Sequence, residues 1–171
     1  MNTQTAQMDD LRLIALPSAV NCADLFARFT LTEWALRPLL EEACEVAREL
    51  VTSAVANADA HAPGFLIVRL QLRGDNLLIE VEDQEYTTPS LTAAMTGKDS
   101  GVRQRNGRGN VLWCQLGLPT GLTASSVPLP RRERRRSPAA EALGDQPDEM
   151  DPQFMERILY GLSRSKHAQP E

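Results

Sequence analysis

Residues 65–83 read FLIVRLQLRGDNLLIEVED, and this stretch frames the rest of the chain. Phe65–Leu72 is rich in Ile, Val and Leu, side chains that suit a pleated, half-buried surface. In Asn76–Asp83 the residues alternate: Leu77, Ile79 and Val81 fall on one side, Leu78, Glu80 and Glu82 on the other. Between them, Arg73-Gly74-Asp75-Asn76 has turn chemistry, so the two runs predict an antiparallel hairpin. Immediately upstream, residues 38–58 read PLLEEACEVARELVTSAVANA. Leu40, Ala43, Cys44, Ala47, Leu50, Val51, Ala54, Val55 and Ala58 follow the i, i+3, i+4 rule, which predicts a long amphipathic helix starting at Pro38 and ending before Pro63-Gly64. A long helix followed by a hairpin places the chain among two-layer α/β (α+β) sandwiches, with helices on one face of a mixed, mostly antiparallel sheet.

Further upstream, residues 1–10 are polar and predict a disordered N-terminus. Leu11–Leu16 reads as a short edge strand ended by Pro17. Ser18 or Asn21 then caps a helix over about residues 23–35, with Leu25, Phe26, Phe29 and Trp34 as its buried stripe. Downstream, residues 84–106 lose periodicity and read as a long loop of the kind that carries function. Gly107-Arg108-Gly109 and the apolar Val111–Cys114 follow, then a turn region from Gly117 to Gly121 and a last strand over Leu122–Leu129. The main domain thus spans residues 11–129. Residues 130–150 are rich in Arg, Pro and acid and read as a flexible linker. Residues 151–171 hold a short amphipathic helix, with Phe154, Ile158, Leu159 and Leu162 on its apolar face, and a tail.

The chain has 171 residues, 42% hydrophobic and 24% charged, which are globular values. No apolar run reaches the roughly 20 residues of a membrane-spanning helix. The N-terminus lacks the basic start and apolar run of a secretory signal, so a cytoplasmic protein is expected. Residues 1–128 carry 10 Lys+Arg and 15 Asp+Glu, a balance of −5, which argues against broad nucleic-acid binding by this domain. Cys22, Cys44 and Cys114 are scattered and form no CxxC pair, so neither a disulfide framework nor a zinc site is expected. The run Arg131–Arg136 reads either as a solvated linker or as a contact for an acidic partner or nucleic acid. No aromatic residue lies near it for base stacking.

Three features could carry chemistry. Glu45, Glu49, Ser53 and Asn57 are spaced by four and line one helix face. Such a row is either a solvated polar face or a place for a hydrated magnesium ion, which takes a few protein oxygens beside water and phosphate. Asp83 shares its side with the presumed core residues. It either turns to cap the following loop or serves as a buried acceptor for an amino group such as that of adenine. Gly107-Arg108-Gly109 is either a plain turn or a phosphate-binding turn before a helix.

Taken in order, these features resemble the GHKL ATPase superfamily, and within it the bacterial anti-sigma-factor serine/threonine kinases. Glu49-Leu50-Val51-Thr52-Ser53-Ala54-Val55 is similar to that family's N box, Val81-Glu82-Asp83 to its first glycine box and Asn106-Gly107-Arg108-Gly109 to its second. The resemblance implies a Bergerat ATP-binding fold, that of the histidine-kinase-like ATPases, with ATP and Mg2+ as cofactors. It implies Glu49 as catalytic base and Asp83 as adenine acceptor. Ser53 and Asn57 face the nucleotide, Ser53 standing where the family's magnesium-binding Asn lies. Gly107, Arg108 and Gly109 close a lid over the phosphates, and Thr123 supports the adenine site from the last strand. The partners implied are a sigma factor and an anti-sigma-factor antagonist phosphorylated on serine, and a homodimer suits the family. Two departures stand out: Ser53 replaces Asn, and Gln84-Glu85-Tyr86 follow Asp83 where the family has glycines. They leave a second reading, a catalytically degenerate interaction protein of the same fold that sequesters a partner.

Overall fold

The computed structural model describes residues 5–128. The Arg run 131–136, the linker and the helix expected at 152–164 lie outside the described residues. Five strands and two helices follow in order: β1 Thr5–Ile14, α1 Ser18–Glu33, α2 Leu40–Asn57, β2 Phe65–Arg73, β3 Asn76–Glu82, β4 Ser100–Gln104 and β5 Asn110–Gly117. The strands form one sheet in the order β1-β2-β3-β5-β4. Every pairing in it is antiparallel, where the sequence suggested a mixed sheet.

The helix and hairpin of the opening stretch form as their periodicities imply. The β2–β3 register is closed by Arg73 opposite Asn76. Gly74 takes a φ of +59° at the first turn position, the one that a type II′ hairpin turn reserves for glycine. Leu66, Val68, Leu70 and Leu72 of β2, with Leu77, Ile79 and Val81 of β3, are buried under α2. α2 meets them with Ala43, Val46, Ala47, Leu50, Val51 and Ala54. Each buried Leu or Ile contributes about 1.5–3 kcal/mol to this layer. Glu41 and Glu42 in the first turn of α2 complement its dipole in place of a side-chain cap.

α1 differs from its reading. It starts at Ser18 without a side-chain cap, so neither Ser18 nor Asn21 acts as one. Its seam is Ala19, Ala23, Ala27, Thr30 and Leu31. Leu25 and Phe29, expected in the core, are 61% and 67% exposed. The alanines let the backbone sit close to α2, and that close seam leaves the bulkier residues on the neighbouring face. Trp34 is buried as expected. The helix stops in a Schellman motif: Leu36 N–H donates to the Leu31 carbonyl, Ala35 N–H to that of Thr32, and Ala35 takes a φ of +56°. Arg28 ties the helices together, donating to Asp24 at 3.0 Å and to Glu41 at 2.8 Å. Its hydrogen bond holds the Glu41 carboxyl below its ordinary range.

Three further expectations give way. β1 begins at Thr5, so residues 5–10 are strand and not a disordered end. β4 lies inside the expected 84–106 loop. Its only large apolar residue is Val102, and Gly101 lets it lie against Trp113, whose indole stands 3.1 Å from where a Cβ would be. The strand expected at Leu122–Leu129 is, among its described residues, a 3-10 turn at Ala124–Ser126. On the sheet face away from the helices, polar side chains pair across strands. Glu80 accepts from Gln71 at 2.6 Å and from Arg103, while Arg69 lies between Asp10 and Glu82, which also pairs with Arg105.

Candidate functional site

The polar row of α2 does not face open solvent along its length. Glu45 is exposed, Glu49 is half-buried and Ser53 is 3% exposed, because the segment after β3 is laid along the helix. Three tethers hold it. Asn57 Nδ2 donates to the Thr87 carbonyl at 2.9 Å, and the Thr87 hydroxyl donates back to Asn57 Oδ1 at 3.0 Å. The Thr92 hydroxyl donates to Glu49 Oε2 at 2.6 Å. Lys98 Nζ lies 3.2 Å from Glu42 Oε1. The strap thus runs from the C-terminal end of α2 towards its N-terminus. Ser53 Oγ donates to the Glu49 carbonyl at 3.0 Å.

Asp83 follows directly on β3 and is 2% exposed. Its Oδ1 accepts from the Asn110 amide N–H at 2.8 Å, Asn110 Nδ2 at 2.9 Å and the Glu85 amide N–H at 3.1 Å. Oδ2 lies 3.2 Å from the same Asn110 Nδ2. The Asp83 N–H in turn donates to the Asn110 carbonyl at 3.0 Å, which extends the β3–β5 ladder by one pair. A buried carboxylate needs donors, and here the chain itself supplies them. Asn110, fully buried, also reaches the Thr87 carbonyl at 2.8 Å, so it joins Asp83 to the strap. Nothing in the sequence singled out Asn110. The signal that finds it is the demand of a core-facing Asp for an amide partner at the start of a neighbouring strand.

Gly107-Arg108-Gly109 is the tip of the β4–β5 hairpin. Arg105 N–H donates to the Gly109 carbonyl at 2.9 Å, and strand β5 follows at once. The helix whose N-terminus would have faced a phosphate is therefore a strand. Gly109, at φ +97°, sits so close to Asp83 that a Cβ would lie 2.5 Å from its carbonyl oxygen. The Gly109 N–H donates to the Glu85 carbonyl at 3.1 Å. Arg108 donates to the Gln84 carbonyl at 2.6 Å and stacks 4.8 Å from the centroid of Tyr86. Where the resemblance implies a lid over phosphates, the positive φ of Gly109 serves to clamp the hairpin tip onto residues 83–86.

The structure thus gathers Asn57, Asp83 and Gly109 around Asn110 and Thr87, with Ser53 and Glu49 one and two turns back along α2. Thr123 is not among them. It is exposed, its N–H donates to Ser126 Oγ at 2.9 Å, and it begins the 3-10 turn in place of a last strand. The next residue, Ala124, donates its N–H to the Gly74 carbonyl, at the end of β3 opposite Asp83. Among the described residues, a cavity of about 230 Å³ is lined by Arg12, Phe65, Ile67, Glu82 and Gln84. Another, about 130 Å³, lies at the hairpin tip beside Tyr86, Arg105 and Arg108. Neither is lined by Glu49, Ser53 or Asp83.

The donor set does not suit ATP with magnesium. The acceptors of Asp83 face its own chain, and Glu49 holds Thr92. Among the described residues no group of three or more His, Cys, Asp or Glu is placed to hold a metal ion. No helix among them is long and apolar enough to cross a membrane. Compared with protein-family models and with curated proteins, the chain matches none. Fold and site together define an α+β protein: two helices on one face of a five-stranded antiparallel sheet, closed by a strap along the second helix.

Proposed function

We propose that this chain is a catalytically silent regulator related in architecture to the anti-sigma-factor kinases and their Bergerat fold. It acts by holding a protein partner, by the resemblance a sigma factor, and not by phosphoryl transfer. The Glu49–Val55 segment and the two-layer sandwich support the kinship. The observation that carries the silence is the Asp83 carboxylate, buried and bonded to Asn110 and Glu85 where a nucleotide acceptor must face outward. The strap over Glu49 and the strand that follows Gly109 agree with it.

Calorimetric titration of the full chain with ATP and magnesium is the test. The expected result is no heat up to about 1 mM nucleotide, a binding free energy weaker than about −4 kcal/mol. Saturable heat that Asp83→Asn abolishes would overturn the proposal and restore Glu49 as base and Asp83 as adenine acceptor. A sigma-factor complex should co-elute with the chain to the same extent with and without ATP. Dependence on nucleotide would count against the reading.

A further inference from the structure

We infer that the cavity of about 230 Å³ on the outer face of the sheet binds a small apolar monocarboxylate, held by the guanidinium of Arg12. The inference is independent of the proposed function. This cavity lies on the sheet face away from the helices, and neither Asp83 nor Glu49 lines it.

The site is a row across three strands. Arg12 of β1 stands opposite Ile67 of β2, and Ile67 stands opposite Glu82 of β3. Their strand neighbours Leu66, Val68 and Val81 point the other way, into the core. Phe65 extends the floor beside Ile67, and Gln84 extends the wall beyond Glu82. Ile14, paired with Phe65, continues the apolar surface at the rim. β1 and β3 flank β2, so the cationic and the acidic wall stand about 9–10 Å apart at the backbone. The cavity is smaller than the roughly 300–1,000 Å³ of sites for drug-sized ligands, so its occupant is small.

Charge selects the occupant. Asp10 lies 3.7 Å from Arg69, and Glu82 pairs with Arg105. Arg12 is exposed and, among the described residues, makes no ion pair and no hydrogen bond. Its guanidinium lies 3.8 Å from the centroid of the Phe65 ring. Stacking uses the face of the guanidinium and leaves its N–H groups in the plane, the fork that takes both oxygens of a carboxylate. The ring also holds that fork in place before a ligand arrives, which lowers the cost of ordering it. Glu82, ionised, offers only acceptor oxygens to the same space, so a second negative charge on the ligand is repelled. Ile67 and the uncovered part of Phe65 take the apolar body. A single ring carrying one carboxylate meets all of these demands.

Titration of the isotope-labelled full chain with phenylacetate, followed by its amide resonances, tests this. Saturable shifts are expected at Arg12, Ile67 and Glu82, with a dissociation constant of about 1 mM or tighter. Arg12→Gln should weaken binding at least about tenfold, and its otherwise unchanged spectrum shows that the variant is folded. Arg108 also stacks on an aromatic ring, that of Tyr86, but at the hairpin tip, so Arg108→Gln should bind as the parent does. Benzyl alcohol keeps the ring without the charge, and phenyl phosphate adds a second charge; each should bind at least about tenfold more weakly than phenylacetate. A peptide ending in a free phenylalanine carboxylate offers the same chemistry from another source and should bind no tighter, since the cavity holds little beyond a ring and its carboxylate. The inference is overturned by an absence of saturation up to about 10 mM, or by shifts centred on Asp83 and Asn110. It is equally overturned by an Arg12→Gln variant that binds like the parent, an Arg108→Gln variant that binds as weakly as Arg12→Gln, or either control compound binding as well as phenylacetate. Tighter binding of the peptide would replace the free acid by a chain terminus and overturn it too.

Discussion

Asp83, Asn110 and Gly109 act as one unit. The carboxylate is tolerated in the core because Asn110 and the Glu85 amide donate to it, and Asn110 reaches it because Gly109 brings the hairpin tip against the Asp83 carbonyl. Gly109→Ala should therefore lower stability by about 2–4 kcal/mol, the joint cost of a disfavoured φ and a backbone clash. Gly107 also has a positive φ, +93°, but nothing lies within 4 Å of its would-be Cβ, so Gly107→Ala should cost only about 1 kcal/mol. Urea unfolding of both variants decides; equal losses would mean that the close approach at Gly109 is not what matters. The burial of Asp83 was legible from alternation. Its partner was not, because Asn110 lies 27 residues away and only the hairpin brings it back.

At the scale of elements, α2, β2 and β3 could be read from the sequence because one strong period runs through each. α1 could not be read in full, because two stripes compete on its surface. Size favoured Leu25 and Phe29, whereas the seam is set by small residues that permit close packing against α2. β4 was hidden for a simpler reason: five residues with one large apolar side chain show no period. The end of α1 carries its own prediction. Ala35 occupies the left-handed position of the Schellman motif, where a Cβ costs about 1–2 kcal/mol. Ala35→Gly should raise stability by about 0.5–1 kcal/mol after the added backbone freedom of the unfolded chain is deducted. A thermal melt that shows no rise, or a fall, would place the strain elsewhere.

At the scale of the whole molecule, closing the sandwich buries two thiols. Burial pushes the Cys114 thiol up to about 11 from an ordinary 9.0 and raises that of Cys44 as well. Below pH 9.0 both states of the protein keep these protons, and stability is unaffected. Between pH 9.0 and about 11 the unfolded chain ionises Cys114 while the folded chain does not, so stability falls as pH rises. This thiol adds a slope of up to about 1.4 kcal/mol per pH unit in that window, and Cys44 acts in the same direction. Urea unfolding at about pH 8 and about pH 10.5 should show the loss, and Cys114→Ala should flatten it relative to its own value at the lower pH. An unchanged slope in the variant would remove Cys114 as the cause.

Local order determined much of this protein. Residues 40–58 had to form a helix and residues 65–83 a hairpin, since no other local geometry puts their apolar side chains on one face. That already implied a two-layer α+β arrangement and a carboxylate at its inner end. The tertiary structure decided what that carboxylate and its neighbours are for. Whether Asp83 faces a ligand or its own chain, whether Gly109 bends towards an anion or a carbonyl, and which stripe of α1 is inside all depend on contacts between segments far apart in sequence. Periodicity reports a residue's face, but the group standing opposite that face comes from another element.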